Sequence, residues 1–209
     1  MIENMKVEFG RTSDIDSWMR LVRKVSWNFP GLETEQSIEE HKIIVLKFMN
    51  DKDDWQLISK DKYESTLRGL KEMYDDLPVG LIHRDVHLGN FLFEGGEFSG
   101  YIDFDLSQRN IRLFDLCYFL LGLLSEEETI EISYDEWFVV LGQVFSAYSQ
   151  IIALSETEIA TVPYVMESIE LLFGAWFIGQ NDIACARDAI KLYEFVCENR
   201  EKIVKKIYT

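Results

Sequence analysis

The chain has 209 residues, 47% of them hydrophobic and 13% aromatic. That is enough for one domain, or one plus a small appendage, burying about 70% of its unfolded surface, and it excludes a disordered polypeptide. Its 37 acidic residues against 21 basic ones leave a net charge of −16, which excludes nucleic acid or an anionic membrane as a partner held by bulk electrostatics. The same charge suits a cationic small molecule, or simply an acidic cytoplasmic protein.

Residues 1–20 contain Glu3, Lys6, Glu8, Arg11, Asp14 and Asp16 and no apolar core, so no secretion signal is expected. Lys6 to Phe9 reads as a short strand. Ser13 and Asp16 then stand at capping-box spacing before a helix whose apolar stripe is Ile15, Trp18, Leu21, Val22 and Val25. Phe29-Pro30-Gly31 ends it. A second helix from about Thr34 to Met49 carries Ile38, His41, Val45 and Phe48 on one face, with His41 in a packing or solvent-bridging role. Residues 5–52 resemble the first strand and two helices of a GNAT-type N-acetyltransferase. The resemblance rests on Val7 to Arg11, Asp14 to Val25, Phe29 to Leu32 and Glu39 to Phe48. It brings no catalytic motif and no pyrophosphate loop, so acetyl transfer is the least favoured function.

Asn50-Asp51-Lys52-Asp53-Asp54 is the best boundary, dividing an N-terminal segment, 1–53, from a main unit, 54–209. Tyr63, Leu67, Leu70, Tyr74 and Leu77 predict an amphipathic helix closed by Pro78. From Leu81 to Leu106 the chain reads as loop, strand, turn, strand, loop. Phe91 to Phe93 and Phe98 to Ile102 are the strands, and Gly95-Gly96 lies at the hairpin turn. The hairpin folds the chain back so that Asp85 and Asn90 face Asp103. Two of these oxygen-bearing groups suit a hard cation such as Mg²⁺, and the third can orient a hydroxyl.

His83-Arg84-Asp85-Val86-His87-Leu88-Gly89-Asn90, followed by Ile102-Asp103-Phe104-Asp105, resembles the catalytic and metal-binding segments of the protein-kinase-like fold. It is most similar to the aminoglycoside phosphotransferase and choline kinase branch. The resemblance implies an α+β, mainly α fold: the large lobe of a kinase with a β-hairpin at the catalytic loop, preceded by a short strand and two helices. It implies transfer of the γ-phosphoryl of ATP, with Mg²⁺, to a hydroxyl of a small-molecule acceptor, which the acidic chain would suit if it is cationic. Asp85 would orient the hydroxyl proton, and His87 would lie near the transferred phosphoryl group. Asn90 and Asp103 would hold magnesium. Asp105 is either a second metal contact or a solvated loop acid. His83, Arg84 and Asp115 fall with the nucleotide's side of the site. Asp115 either braces the catalytic loop or is an acid favoured by a helix N-terminus. Arg84 and Arg109 pair with these acids or with phosphate.

No G-x-G spacing and no Val-Ala-Ile-Lys-like strand precedes Asp85, so a kinase small lobe is not expected in this chain. Two consequences are expected: weak or absent activity of the chain alone, and an apolar face that the N-terminal helices or a second copy would cover. A non-catalytic remnant of the kinase fold, acting as a binding module, is the rival reading.

After the motif, Asn110 to Leu116 opens another helix. The run Ser125 to Glu136 is acidic and suits a solvated loop and helix start. Helices follow at Tyr134–Ala153, Pro163–Gly179 (with the proline at its start) and Asp182–Asn199. Cys117, Cys185 and Cys197, each in an apolar helical context, read as buried free thiols. Leu116 to Leu124 is too short to span a bilayer, and the longer run Trp137 to Leu154 is broken by Gln143, Ser146, Ser149 and Gln150.

Overall fold

A computed structural model describes residues 60–125, 132–179 and 182–208, together with Ile58. The predicted strand Lys6 to Phe9, the two N-terminal helices, the boundary at Asn50 to Asp54 and the acids Glu126 to Glu131 lie outside the described residues.

Helix α1, Lys60–Tyr74, forms on the apolar stripe its sequence announces: Tyr63, Leu70 and Tyr74 are buried on it and Leu77 just beyond it. Gly69 lets it approach the bundle closely, because a Cβ there would lie 2.3 Å from the Tyr164 ring. A tight turn, with Leu77 donating its N–H to the Tyr74 carbonyl, ends the helix before Pro78.

Strand β1, Val79–Ile82, pairs antiparallel with β4, Gln108–Ile111, from Val79 opposite Ile111 to Ile82 opposite Gln108. Between them lies the predicted hairpin of β2, Phe91–Glu94, and β3, Glu97–Tyr101. Gly95 and Gly96, at φ 61° and 91°, make its turn in the left-handed region that two-residue hairpins require. Residues 110 and 111 were expected to open a helix. They instead close a strand whose backbone groups are satisfied by β1, and the Asn110 side chain accepts from the Tyr74 hydroxyl at 3.0 Å.

Four further helices follow: α2, Leu113–Ser125; α3, Tyr134–Ile151; α4, Glu156–Gly179; and α5, Ile183–Ile207. Helix α3 opens with a capping box between Ser133 and Glu136. Pro163 does not begin α4; it lies inside it. The start signal is Ser155, whose hydroxyl accepts from Glu158 N–H while Glu158 accepts from Ser155 N–H. Helix α5 begins after Asp182, which caps it by accepting from Cys185 N–H, and runs well past Asn199.

Helix α4 packs against α1, α2 and α5, and α3 closes the bundle against α2 and α5. Trp137 is fully buried at the centre and donates its indole N–H to the Leu120 carbonyl at 2.7 Å. The architecture is therefore mainly helical α+β with two small antiparallel sheets, in line with the expected class. Of the thiols, Cys117 alone is buried, and burial pushes its pKa well up; Cys185 and Cys197 are partly exposed at helix edges. No helix among the described residues is long and apolar enough to cross a membrane.

Candidate functional site

The end of β1 delivers the loop His83 to Asn90 onto the first turn of α2. There the Asp115 carboxylate accepts two backbone N–H groups, from His83 at 2.7 Å and from Arg84 at 2.9 Å. Arg84 takes φ 72°, a conformation that costs a non-glycine residue energy and that these two bonds help to hold. Burial is the main influence on Asp115 and raises its pKa, against the two N–H bonds and the charge of Arg84. Burial also lowers the pKa of the Arg84 guanidinium, opposed by Tyr118, Asp115 and Asp85, and its Nε has no hydrogen-bond partner among the described residues.

His83 is buried and joins the two halves of the site. Its Nδ1 accepts from Asp85 N–H at 3.3 Å, which leaves Nε2 to donate to the Ile102 carbonyl at 2.8 Å. Its ring packs on Phe104 at 4.6 Å and Tyr101 at 5.8 Å between centroids. Ile102 in turn donates its N–H to the Asn90 carbonyl at 3.0 Å. Both backbone groups of Ile102 are thus tied to the loop, and Asp103 follows directly at φ 62°. The Asp103 side chain is exposed.

Asp85 is held by its carboxylate. Tyr118 donates its hydroxyl to Oδ1 at 2.8 Å, and Asn90 donates Nδ2 to Oδ2 at 3.2 Å and to the Asp85 carbonyl at 2.9 Å. Asn90 thus spends its side-chain nitrogen on Asp85, and its side-chain oxygen is a hard donor. His87 Nε2 lies 3.8 Å from Asp85 Oδ2, and His87 Nδ1 accepts from Gly89 N–H at 3.2 Å. Gly89 has no Cβ to spare there: one would lie 2.8 Å from the imidazole.

Asp85, His87, Asn90, His83, Arg84 and Asp115 therefore form one bonded cluster, and Ile102 brings the start of Asp103 to it. Asp105 sits exposed in the turn that Ser107 N–H closes on the Phe104 carbonyl, and no hydrogen bond among the described residues joins it to the cluster. Arg109 is exposed on β4. Among the described residues no group of three His, Cys, Asp or Glu side chains stands ready for a metal. Asn90 and Asp103 offer two hard oxygen donors, a set that suits Mg²⁺ completing its shell with water and phosphate oxygens.

Tyr118 was not singled out in the sequence, where it is one more residue of an apolar run. Asp115 held the clue: three residues further along a helix, Tyr118 shares its face and must look at the same loop.

Residues 30–140, just over half the chain, match the pattern of the phosphotransferase enzyme family, APH. Among curated proteins, the chain is 26% identical over 137 residues to a homoserine kinase of Agrobacterium fabrum, which is 58% of this chain and 41% of that protein. It is 29% identical over 99 residues to a homoserine kinase of Gluconobacter oxydans, covering 47% of this chain and 29% of the relative. A third, the homoserine kinase of a Bradyrhizobium species, is 30% identical over 99 residues, covering 47% and 28%. The matched stretch thus spans less than half the length of each of these relatives.

Proposed function

Because the chain belongs to the phosphotransferase enzyme family, the group of small-molecule kinases that includes the aminoglycoside phosphotransferase and choline kinase-like proteins, we propose that it transfers the γ-phosphoryl of ATP to the hydroxyl of a small molecule. The observation that carries this reading is the Asp85 carboxylate, fixed on Oδ1 by Tyr118 and on Oδ2 by Asn90 beside the pinned Ile102-Asp103 segment. Asp85 orients the acceptor hydroxyl and takes its proton. Asn90 and Asp103 would hold magnesium, which would neutralise phosphate charge. His87, beside Asp85, lies on the phosphoryl group's path, and Asp115 keeps the loop in shape for all of them.

The helical bundle and hairpin serve as the large lobe of the kinase fold. The names of the relatives make homoserine the first acceptor to try, with amino alcohols and amino sugars after it. Each carries an ammonium group, and the amino alcohols and amino sugars are net cations, in keeping with a net charge of −16. Phe93, Phe98, Phe104 and Leu106 are exposed on and after the hairpin, and a second copy of the chain covers this face. The chain by itself works slowly. Nothing in residues 1–84 has the glycine spacing or strand lysine that would grip the phosphates, and each such donor is worth about 10²–10³ in rate. The same lack favours the second reading, a non-catalytic binding module.

Transfer of label from γ-labelled ATP across this acceptor panel, with magnesium, separates the two. A product that forms with the wild-type chain and vanishes with Asp85→Asn supports the kinase. No acceptor-dependent product above the uncatalysed rate leaves the binding module.

A further inference from the structure

Helix α2 presents two groups to the catalytic loop, one turn apart. Asp115 fixes the backbone at His83 and Arg84, and Tyr118 reaches the side chain of the next residue, Asp85, at 2.8 Å. We infer that Tyr118 is a positioning residue for phosphoryl transfer, its hydroxyl setting the rotamer from which Asp85 meets the acceptor. The inference rests on the kinase reading above and adds a residue to it.

A carboxylate on a short side chain has two torsions to fix, and one bond to each of its oxygens fixes them. Tyr118 holds Oδ1 and Asn90 holds Oδ2. Neither bond exhausts its oxygen, because each carboxylate oxygen accepts in two directions. A lone pair therefore remains on Asp85 for the acceptor hydroxyl. The donor itself has little freedom. The Tyr118 ring stacks on Phe114 at 5.9 Å and 26°, and rests against Phe173 of α4 at 5.8 Å. Phe114 is buried, so the phenol is clamped by the bundle while its hydroxyl faces the loop. Tyr118 moves no proton. It keeps the base where the reaction needs it, and misplacement by about 1 Å costs on the order of a hundredfold in rate.

Tyr118→Phe retains the clamped ring and removes only the hydroxyl. It should lower kcat about ten- to a hundredfold, the worth of a hydrogen bond to a charged group. KM for ATP and for the acceptor should stay within about twofold, because a residue that acts only by holding Asp85 changes the chemical step and not binding. Phe173→Leu, which loosens the clamp without touching Asp85, should lower kcat less. The double variant should be no slower than Tyr118→Phe alone, since both act through one bond. A purely structural tyrosine would lower the melting temperature and leave kcat per folded molecule unchanged. If the wild-type chain transfers phosphate and Tyr118→Phe keeps its kcat, the positioning role is overturned and the kinase reading stands. If the wild-type chain transfers none, the kinase reading falls and this role with it.

Discussion

The Asp115 carboxylate takes one backbone N–H from His83 and one from Arg84, at 2.7 and 2.9 Å, so the first turn of α2 holds the loop that carries Asp85. Burial raises the pKa of Asp115, which says that its charged form is disfavoured relative to its protonated form inside the fold. It does not say that the side chain is dispensable, because removing it strands two backbone donors in a partly buried place.

Asp115→Ala should therefore destabilise the protein by about 1–3 kcal/mol, the cost of lost acceptors for buried donors. Asp85→Ala should cost much less, since Asn90 Nδ2 keeps the residue 85 carbonyl as acceptor and the half-buried Tyr118 hydroxyl can turn to water. Chemical denaturation of both variants checks the division. Equal losses would contradict it.

Glu170, on α4, is 4% exposed, and burial pushes its carboxyl up to about 8. Its folded pKa thus stands above that of an unfolded glutamate. The native state keeps a proton that the unfolded chain has released between the ordinary glutamate value of 4.5 and about 8, so stability falls as pH rises through that window. Glu170→Gln removes the fall. Its melting temperature should gain more over wild type at pH 8 than at pH 5, and parallel pH profiles would show that Glu170 does not titrate this way.

Glu167 is fully buried and receives both Nε and Nη2 of Arg200, at 2.5 and 2.7 Å, with the Thr66 hydroxyl as a third donor at 2.5 Å. Arg200→Ala leaves that carboxylate without its cation and should cost about 3 kcal/mol. That is the lower end for a broken buried pair, because the Arg200 side chain is 27% exposed. Lys191→Ala, which breaks the exposed Lys191–Asp188 pair on α5, should not move the melting midpoint measurably. Similar losses from both would mean that the buried pair is no stronger than a surface one.

Much of this arrangement is legible in the sequence because it is local. The stripe from Tyr63 to Leu77, the Gly95-Gly96 turn and the spacing from His83 to Asn90 each lie within one element or one turn. Strands β1 and β4 are not legible. Each has four residues, too few to show a period, and their pairing joins Val79 to Ile111 across the whole hairpin. The start of α4 was misread for another reason: Pro163 is a strong start signal, and Ser155 with Glu158, the true one, is equally local but less conspicuous. Tyr118 was hidden by composition. An aromatic residue between Cys117 and Phe119 looks like core, and only the direction of α2 turns its hydroxyl to Asp85.

Magnesium-dependent ATP binding, measured by calorimetry on the chain and on Asp103→Ala, tests most directly the claim that the mouth between the loop and Asp103 is a nucleotide site. Binding should be weak, with a Kd of about 1 mM, or about −4 kcal/mol, because residues 1–84 show neither a glycine loop nor a strand lysine for the phosphates. It should need magnesium and be lost in Asp103→Ala. Binding that ignores both magnesium and Asp103 would contradict the site, and micromolar affinity in the isolated monomer would contradict the weak grip.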